Sequence, residues 1–172
     1  TIRPNGNANT LWADNAYTKI DDVVNSPSSS GDSTYAVAED DDESVEQQWD
    51  FEALSTLTTA SSVEVFVRHK DDGISVTTSD LNVKIGGVWQ TGQTISYTSS
   101  FGWVSKTWSG SWSASDFDDF EVGITAPNDI RRNREYHVAV VYAVVTESEV
   151  AAGKLLPFIQ AQQRIEDNTE EF

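Results

Sequence analysis

The stretch Ser61 to His69, SSVEVFVRH, places a valine at every second position from Val63 to Val67. Successive side chains of an extended chain point to opposite faces. Val63, Val65 and Val67 therefore share one side, and Glu64, Phe66 and Arg68 share the other. A period of two with one apolar and one mixed face predicts a half-buried β-strand. His69 closes this strand next to Lys70 and is expected at the solvent. The following Lys70-Asp71-Asp72-Gly73 has turn chemistry and leads into another extended stretch, ISVTT.

The same reading extends in both directions. LNVKI turns Leu81, Val83 and Ile85 inward and stops at Gly86-Gly87. FEVGIT sets Phe120, Val122 and Ile124 on one face, while QTISYTS and WVSKTW supply further strands. REYHVAVVYAVVT is almost continuously apolar, the pattern of a central, well-covered strand. Val, Ile, Thr and the aromatics outweigh Leu, and Met is absent. Ser-, Asn- and Gly-rich links such as NSPSSSGDS and SGSWSASD join about eight to ten such strands. No long helix separates them, which argues against a parallel sheet. The expected fold is all-β, an antiparallel two-sheet β-sandwich of jelly-roll type over residues 1–147. One short helical turn near SASDFDDF, capped by Ser113 or Ser115, is the single helical element expected.

Residues 148–172 read as a C-terminal extension. Gly153 and Pro157 interrupt any helix there, yet Leu155, Leu156, Phe158, Ile159 and Ile165 are apolar. Two readings stand: a segment folded back on its own sandwich, or an assembly arm packed on a neighbouring subunit.

The chain has 172 residues with 28 acidic against 11 basic side chains, a formal net charge of −17. Such a field repels nucleic acid and anionic lipid, so neither is expected as a partner. The acids are dispersed, and the only lysines are Lys19, Lys70, Lys84, Lys106 and Lys154. Dispersed carboxylates with scarce lysine match a salt-adapted, halophilic surface whose self-repulsion is screened by ions. There is no cysteine, hence no disulfide framework or thiol chemistry. No apolar run reaches the length of a membrane span, and TIRPNGNANTLW lacks the basic start and apolar stretch of a signal peptide.

Catalytic chemistry finds little to stand on. His69 and His137 are the only imidazoles, and His137 lies within the long apolar strand, as a packed residue rather than a base. No nucleophile elbow, zinc-protease helix motif or phosphate loop occurs. Glu64 and Glu121 alternate with core residues and point outward, where a glycosidase pair or plain solvated surface would both place them. The expectation is therefore no enzyme and no cofactor. For a structural Ca²⁺ or Mg²⁺ the chemically able groups are Asp21, Asp22, Asp32, Asp116, Asp118 and Asp119, none in a calcium-loop pattern. The acid run Glu39–Glu46 reads first as surface and second as an ion site.

Six tryptophans are many for this length, and Trp103, Trp108 and Trp112 fall close together. Aromatic faces on a sandwich stack on sugar rings or anchor protein contacts, though core filling accounts for most buried tryptophans. Trp103 and Trp108 have opposite parity, so one should face out. With Lys106 as polar neighbour, these three form the glycan-binding candidate.

Several segments together, TIRPNGNANTLWA, YTKIDD, VEVFVRHK, WSASDFDDFEVGI and YHVAVVYAVV, resemble jelly-roll surface proteins of tailed viruses from Thr1 to Val145. The resemblance implies a non-enzymatic capsid decoration or vertex turret on the virion exterior. Its partners would be copies of itself and the major capsid protein or other virion proteins. Joined to the acid excess, it implies a virus of halophilic archaea. The alternative is a carbohydrate-binding β-sandwich module, tail-associated or used in host adhesion, with a host-surface glycan as ligand.

Overall fold

Val63, Val65 and Val67 are all fully buried, on the strand that anchors the larger contacts of the fold. The computed structural model describes residues 1–9, 11–12, 20, 35–39, 42, 44–71, 78–96, 98–128, 130 and 134–148. Its strands are β1 (Pro4–Asn7), β2 (Ala36–Ala38), β3 (Glu46–Phe51), β4 (Ala60–Asp71), β5 (Thr78–Ile85), β6 (Val88–Trp89), β7 (Gln93–Ser96), β8 (Gly102–Trp112), β9 (Glu121–Thr125) and β10 (Tyr136–Glu147). They form two antiparallel sheets, a jelly-roll-like β-sandwich. Sheet A runs β2-β10-β4-β8, and sheet B runs β1-β3-β9-β5-β6 with β7 also paired to β5. The C-terminal segment from residue 149 onward, including Leu155, Leu156, Phe158, Ile159 and Ile165, lies outside the described residues.

The interior is filled by the inward members of each alternation. Trp12 packs edge-on against Trp49 and Tyr136, each with ring centroids 5.7 Å apart. Phe51, Phe117 and Phe120 form a second aromatic group at the other side of sheet B's core. Gln47 is fully buried but loses nothing to burial, because every polar atom is paired. Its Oε1 accepts from the backbone N–H groups of Leu11 and Trp12, and its Nε2 donates to the carbonyls of Asn9 and Gln48. One glutamine thus fastens the N-terminal segment onto β3.

That segment also joins the sheets. Ile2 exchanges both backbone hydrogen bonds with Ala143 of β10, and a few residues later β1 pairs with β3. The expected helical turn is a 3₁₀ turn at Ala114–Phe117, with Asp116 Oδ2 accepting from both Ser113 N and Ser113 Oγ.

The position of His69 differs from expectation. It is 2 % exposed, because β4 continues to Asp71 and His69 keeps the inward parity of Val67. Tyr136 Oη and His69 Nδ1 are 3.2 Å apart in the core. Burial lowers the imidazole pKa to about 4, so His69 is neutral near pH 7.

Candidate functional site

The outer face of sheet A brings together Tyr35, Phe66, Phe101, Trp103 and Tyr142, aromatic residues outside the buried core. On β4 the outward positions are Glu64, Phe66, Arg68 and Lys70. Opposite them on β8 stand Thr107, Ser105 and Trp103, and on β10 stand Val144, Tyr142, Val140 and His137. A register shift between Val138 and Val140 decides which of the β10 residues face out. It inserts one extra residue at Ala139 and reverses the parity of the strand beyond it. Tyr136 therefore points into the core while Tyr142, six residues on, lies outside.

Phe66 and Tyr142 stack with centroids 4.7 Å apart and planes 4° apart. Trp103 meets Tyr142 edge-on at 5.7 Å. The Arg68 guanidinium lies 5.8 Å from the ring centroids of both Trp103 and Phe101, and the Lys70 ammonium 5.2 Å from Phe101. Cations at these distances are attracted by the ring faces and hold them in place. At the β2 end, Tyr35 stacks on His137 at 4.3 Å and lies 6.0 Å from Phe101. The result is an aromatic ridge from Tyr35 to Phe66, with Trp103 its most exposed ring at 37 %.

Polar groups border this ridge. Ser105 Oγ donates to Glu64 Oε1 at 2.8 Å. Burial, with the Glu64 carboxylate second, raises the Tyr142 pKa, so its phenol keeps its proton and can donate. His137 Nε2–H donates to Glu135 Oε2 at 2.6 Å. Its Nδ1 is buried with no hydrogen-bond partner among the described residues.

The residues singled out from sequence do not converge. Trp103 is on the ridge. Trp108 is 6 % exposed, opposite inward Val63, with its indole N–H donating to the Thr91 carbonyl; it belongs to the core. Trp112 is half-buried and packs against the core. Lys106 stands opposite inward Val65, on the other side of β8 from Trp103. Phe66, Tyr142, Phe101 and Arg68 were not singled out. Phe66 and Arg68 carried a signal, their outward parity on β4; Tyr142 did not, because the Ala139 bulge is invisible in sequence.

Acidic candidates are likewise placed. Asp21, Asp22 and Asp32 lie outside the described residues. Asp116 caps the 3₁₀ turn, and its carbonyl accepts from Gly86 N. Within the acid run, Asp42 Oδ2 accepts from Glu39 N, making a local turn. Among the described residues no three His, Asp or Glu side chains are grouped to hold a metal ion.

Sheet B's outer face has a different make-up. Glu46 lies across Gly123 and accepts hydrogen bonds from Gln48 Nε2 and Asn82 Nδ2. Beside it, Lys84 Nζ pairs with Glu121 Oε1 at 2.6 Å. The Glu121 hydrogen bond raises the Lys84 pKa. Trp89, opposite Lys84 on the edge strand, is 39 % exposed.

No family model matches the chain, and no curated protein matches it. Among solved structures it is similar to a family 35 carbohydrate binding module from an environmental isolate. The identity is 10 %, covering 86 % of this chain and 97 % of that one, with a TM-score of 0.48. It is also similar to a structure described as Family 16 Carbohydrate Binding Module-2, at 10 % identity over 64 % of this chain and 76 % of that one, TM-score 0.39.

These comparisons correct the virion reading. Both solved structures named are carbohydrate binding modules, and neither capsid, turret, archaeal-virus origin nor virion location has support in these comparisons. The physical reason for the false lead is plain in the fold. VEVFVRHK and YHVAVVYAVV are the two central strands of sheet A, and WSASDFDDFEVGI is a capped turn followed by β9. Such segments report an antiparallel sandwich, whatever the sandwich does. The capsid partners implied by that resemblance fall with it.

Proposed function

We propose that this sandwich is a non-catalytic carbohydrate-binding module whose ligand lies on the outer face of sheet A. The observation that carries the reading is Trp103: a large ring left 37 % exposed while held by contacts to Tyr142 and Arg68. Pyranose rings present C–H faces that pack on aromatic side chains, and equatorial hydroxyls that need donors and acceptors at the edge. Trp103, Tyr142 and Phe66 supply the first, and Arg68, Glu64, Ser105 and Thr107 supply the second. Ring positions fixed by neighbouring stacks lose little freedom on binding, which favours affinity. The net charge of −17 favours a neutral glycan over an acidic one. Catalysis has no part in the reading, since His69 is neutral in the core and Glu64 is engaged by Ser105.

Affinity electrophoresis in gels containing neutral xylan, glucan, mannan or galactan tests it, followed by calorimetric titration with matching oligosaccharides. At least one polysaccharide should retard the protein, and Trp103→Ala should bind it about tenfold more weakly, the loss of about 1.4 kcal/mol. No retardation on any, or undiminished binding by the Trp103→Ala protein, would overturn the assignment.

A further inference from the structure

A cavity of about 270 Å³ opens where β5 begins and β9 ends, beside β7, lined by Ser44, Asp80, Thr94, Thr125 and Asn128 among others. It shares no residue with the aromatic ridge and lies on the other sheet. Its walls come from the outward alternation of sheet B. Thr78 and Asp80 precede Asn82 and Lys84 on the same side of β5, Thr94 stands opposite Asp80, and Thr125 opposite Glu46. Ser44, with a backbone φ of 59°, accepts the left-handed conformation that brings it in beside Pro127, to whose carbonyl its N–H donates.

The chemistry of the lining is uniform. Hydroxyls, one carboxamide and one carboxylate surround the space, with Ala126 and Pro127 as its apolar part. Asp80 Oδ1 accepts from Thr94 Oγ1, and Ser79 Oγ donates to the Thr125 carbonyl. The side-chain groups of Thr78, Thr125 and Asn128 have no hydrogen-bond partner among the described residues. Donors and acceptors are thus left over inside a concavity, unlike the paired groups at the centre of the same face. Among the described residues no lysine, arginine or histidine lines it, and Asp80 is the one charged side chain there. The volume falls just below the range of about 300–1,000 Å³ that holds drug-sized ligands, which suits a single ring.

We propose that this cavity is a second binding site, holding one neutral polyhydroxylated ring such as the terminal pyranose of a glycan. It recognises the ring through ring hydroxyls that donate to Asp80 and exchange hydrogen bonds with Thr78, Thr125 and Asn128, without aromatic stacking. Acidic sugars are excluded by the Asp80 carboxylate.

A ¹H–¹⁵N titration of the full chain with glucose, galactose, mannose, xylose and glucuronic acid tests the site. A neutral monosaccharide should shift the amides of Ser79, Asp80, Thr94, Thr125 and Ala126 saturably, and glucuronic acid should not. The same shifts should appear in the Trp103→Ala protein, so this site and the aromatic ridge can fail separately. Asp80→Ala and Thr94→Val, both solvent-side changes, should each weaken the response about tenfold while the rest of the spectrum is preserved. The proposal is overturned if no neutral sugar moves these amides, if both variants respond like the parent, or if glucuronic acid binds equally well.

Discussion

Sheet A turns Phe66, Arg68, Trp103 and Tyr142 to the outside, whereas sheet B turns Glu46, Gln48, Asn82, Lys84 and Glu121 there. Both faces arise from the same alternation, and the inner positions of both sheets are mostly apolar. On sheet B the polar groups answer one another: Glu46 is held by Gln48 and Asn82, and Lys84 by Glu121. Groups that pair internally have less to offer a ligand. On sheet A the rings pair edge to face and by stacking, which fixes them and still leaves Trp103 exposed. Connected aromatic rings at a surface, with one of them exposed, are what the proposed glycan platform rests on. Among the described residues, the cavity end of sheet B keeps the hydroxyls of Thr78 and Thr125 without a partner.

Acid offers the largest contrast between the sheets. Both imidazoles, His69 and His137, belong to sheet A. Burial lowers the folded pKa of His69 to about 4 from 6.5. Between those values the unfolded chain binds more protons than the folded one. The stabilisation is therefore complete above pH 6.5 and is lost as pH falls toward 4, by about 3 kcal/mol. Denaturant titrations across this range should show the loss, and His69→Leu should remove most of the slope. A slope unchanged in that variant would place the acid sensitivity elsewhere, in the carboxylates of sheet B.

Crowding comes next. A Cβ added at Gly123 would sit 2.7 Å from Glu46 Cδ, so Gly123→Val must displace the carboxylate from Gln48 and Asn82. Overpacking of this kind costs about 1–3 kcal/mol. Thr107→Val, on the exposed outer face of sheet A, should stay within about 0.5 kcal/mol. Equal midpoints for the two variants in urea melts would mean that sheet B's polar ladder is not a built feature. Smaller still is the Lys84–Glu121 pair, partly exposed to solvent. Lys84→Met should cost about 0.5 kcal/mol at low salt and nothing measurable in molar NaCl.

The two faces were not equally legible beforehand. Parity alone placed Val63, Val65 and Val67 inside and Glu64, Phe66 and Arg68 outside, and it separated Trp103 from Trp108. The same rule would have buried His69, but a charged neighbour, Lys70, outweighed it and the strand was ended too early. Tyr142 was beyond reach, since its face depends on the bulge at Ala139. The contacts of Phe101 with Arg68, and of Tyr35 with His137, join segments far apart in the chain and follow only from the sheet order. Short strand motifs such as VEVFVRHK and YHVAVVYAVV specify central strands of sheet A and carry no functional signal by themselves, which is why they do not support a virion role.

The indole N–H resonances of the tryptophans tell a glycan on sheet A from one on sheet B. Trp12 and Trp108 donate theirs to the carbonyls of Val45 and Thr91, and Trp49 is fully buried, so all three should stay still on adding a bound oligosaccharide. The Trp103 indole should shift saturably, accompanied by the ring protons of Phe66 and Tyr142. A shift of the Trp89 indole with Trp103 unmoved would contradict it and move the glycan platform to sheet B.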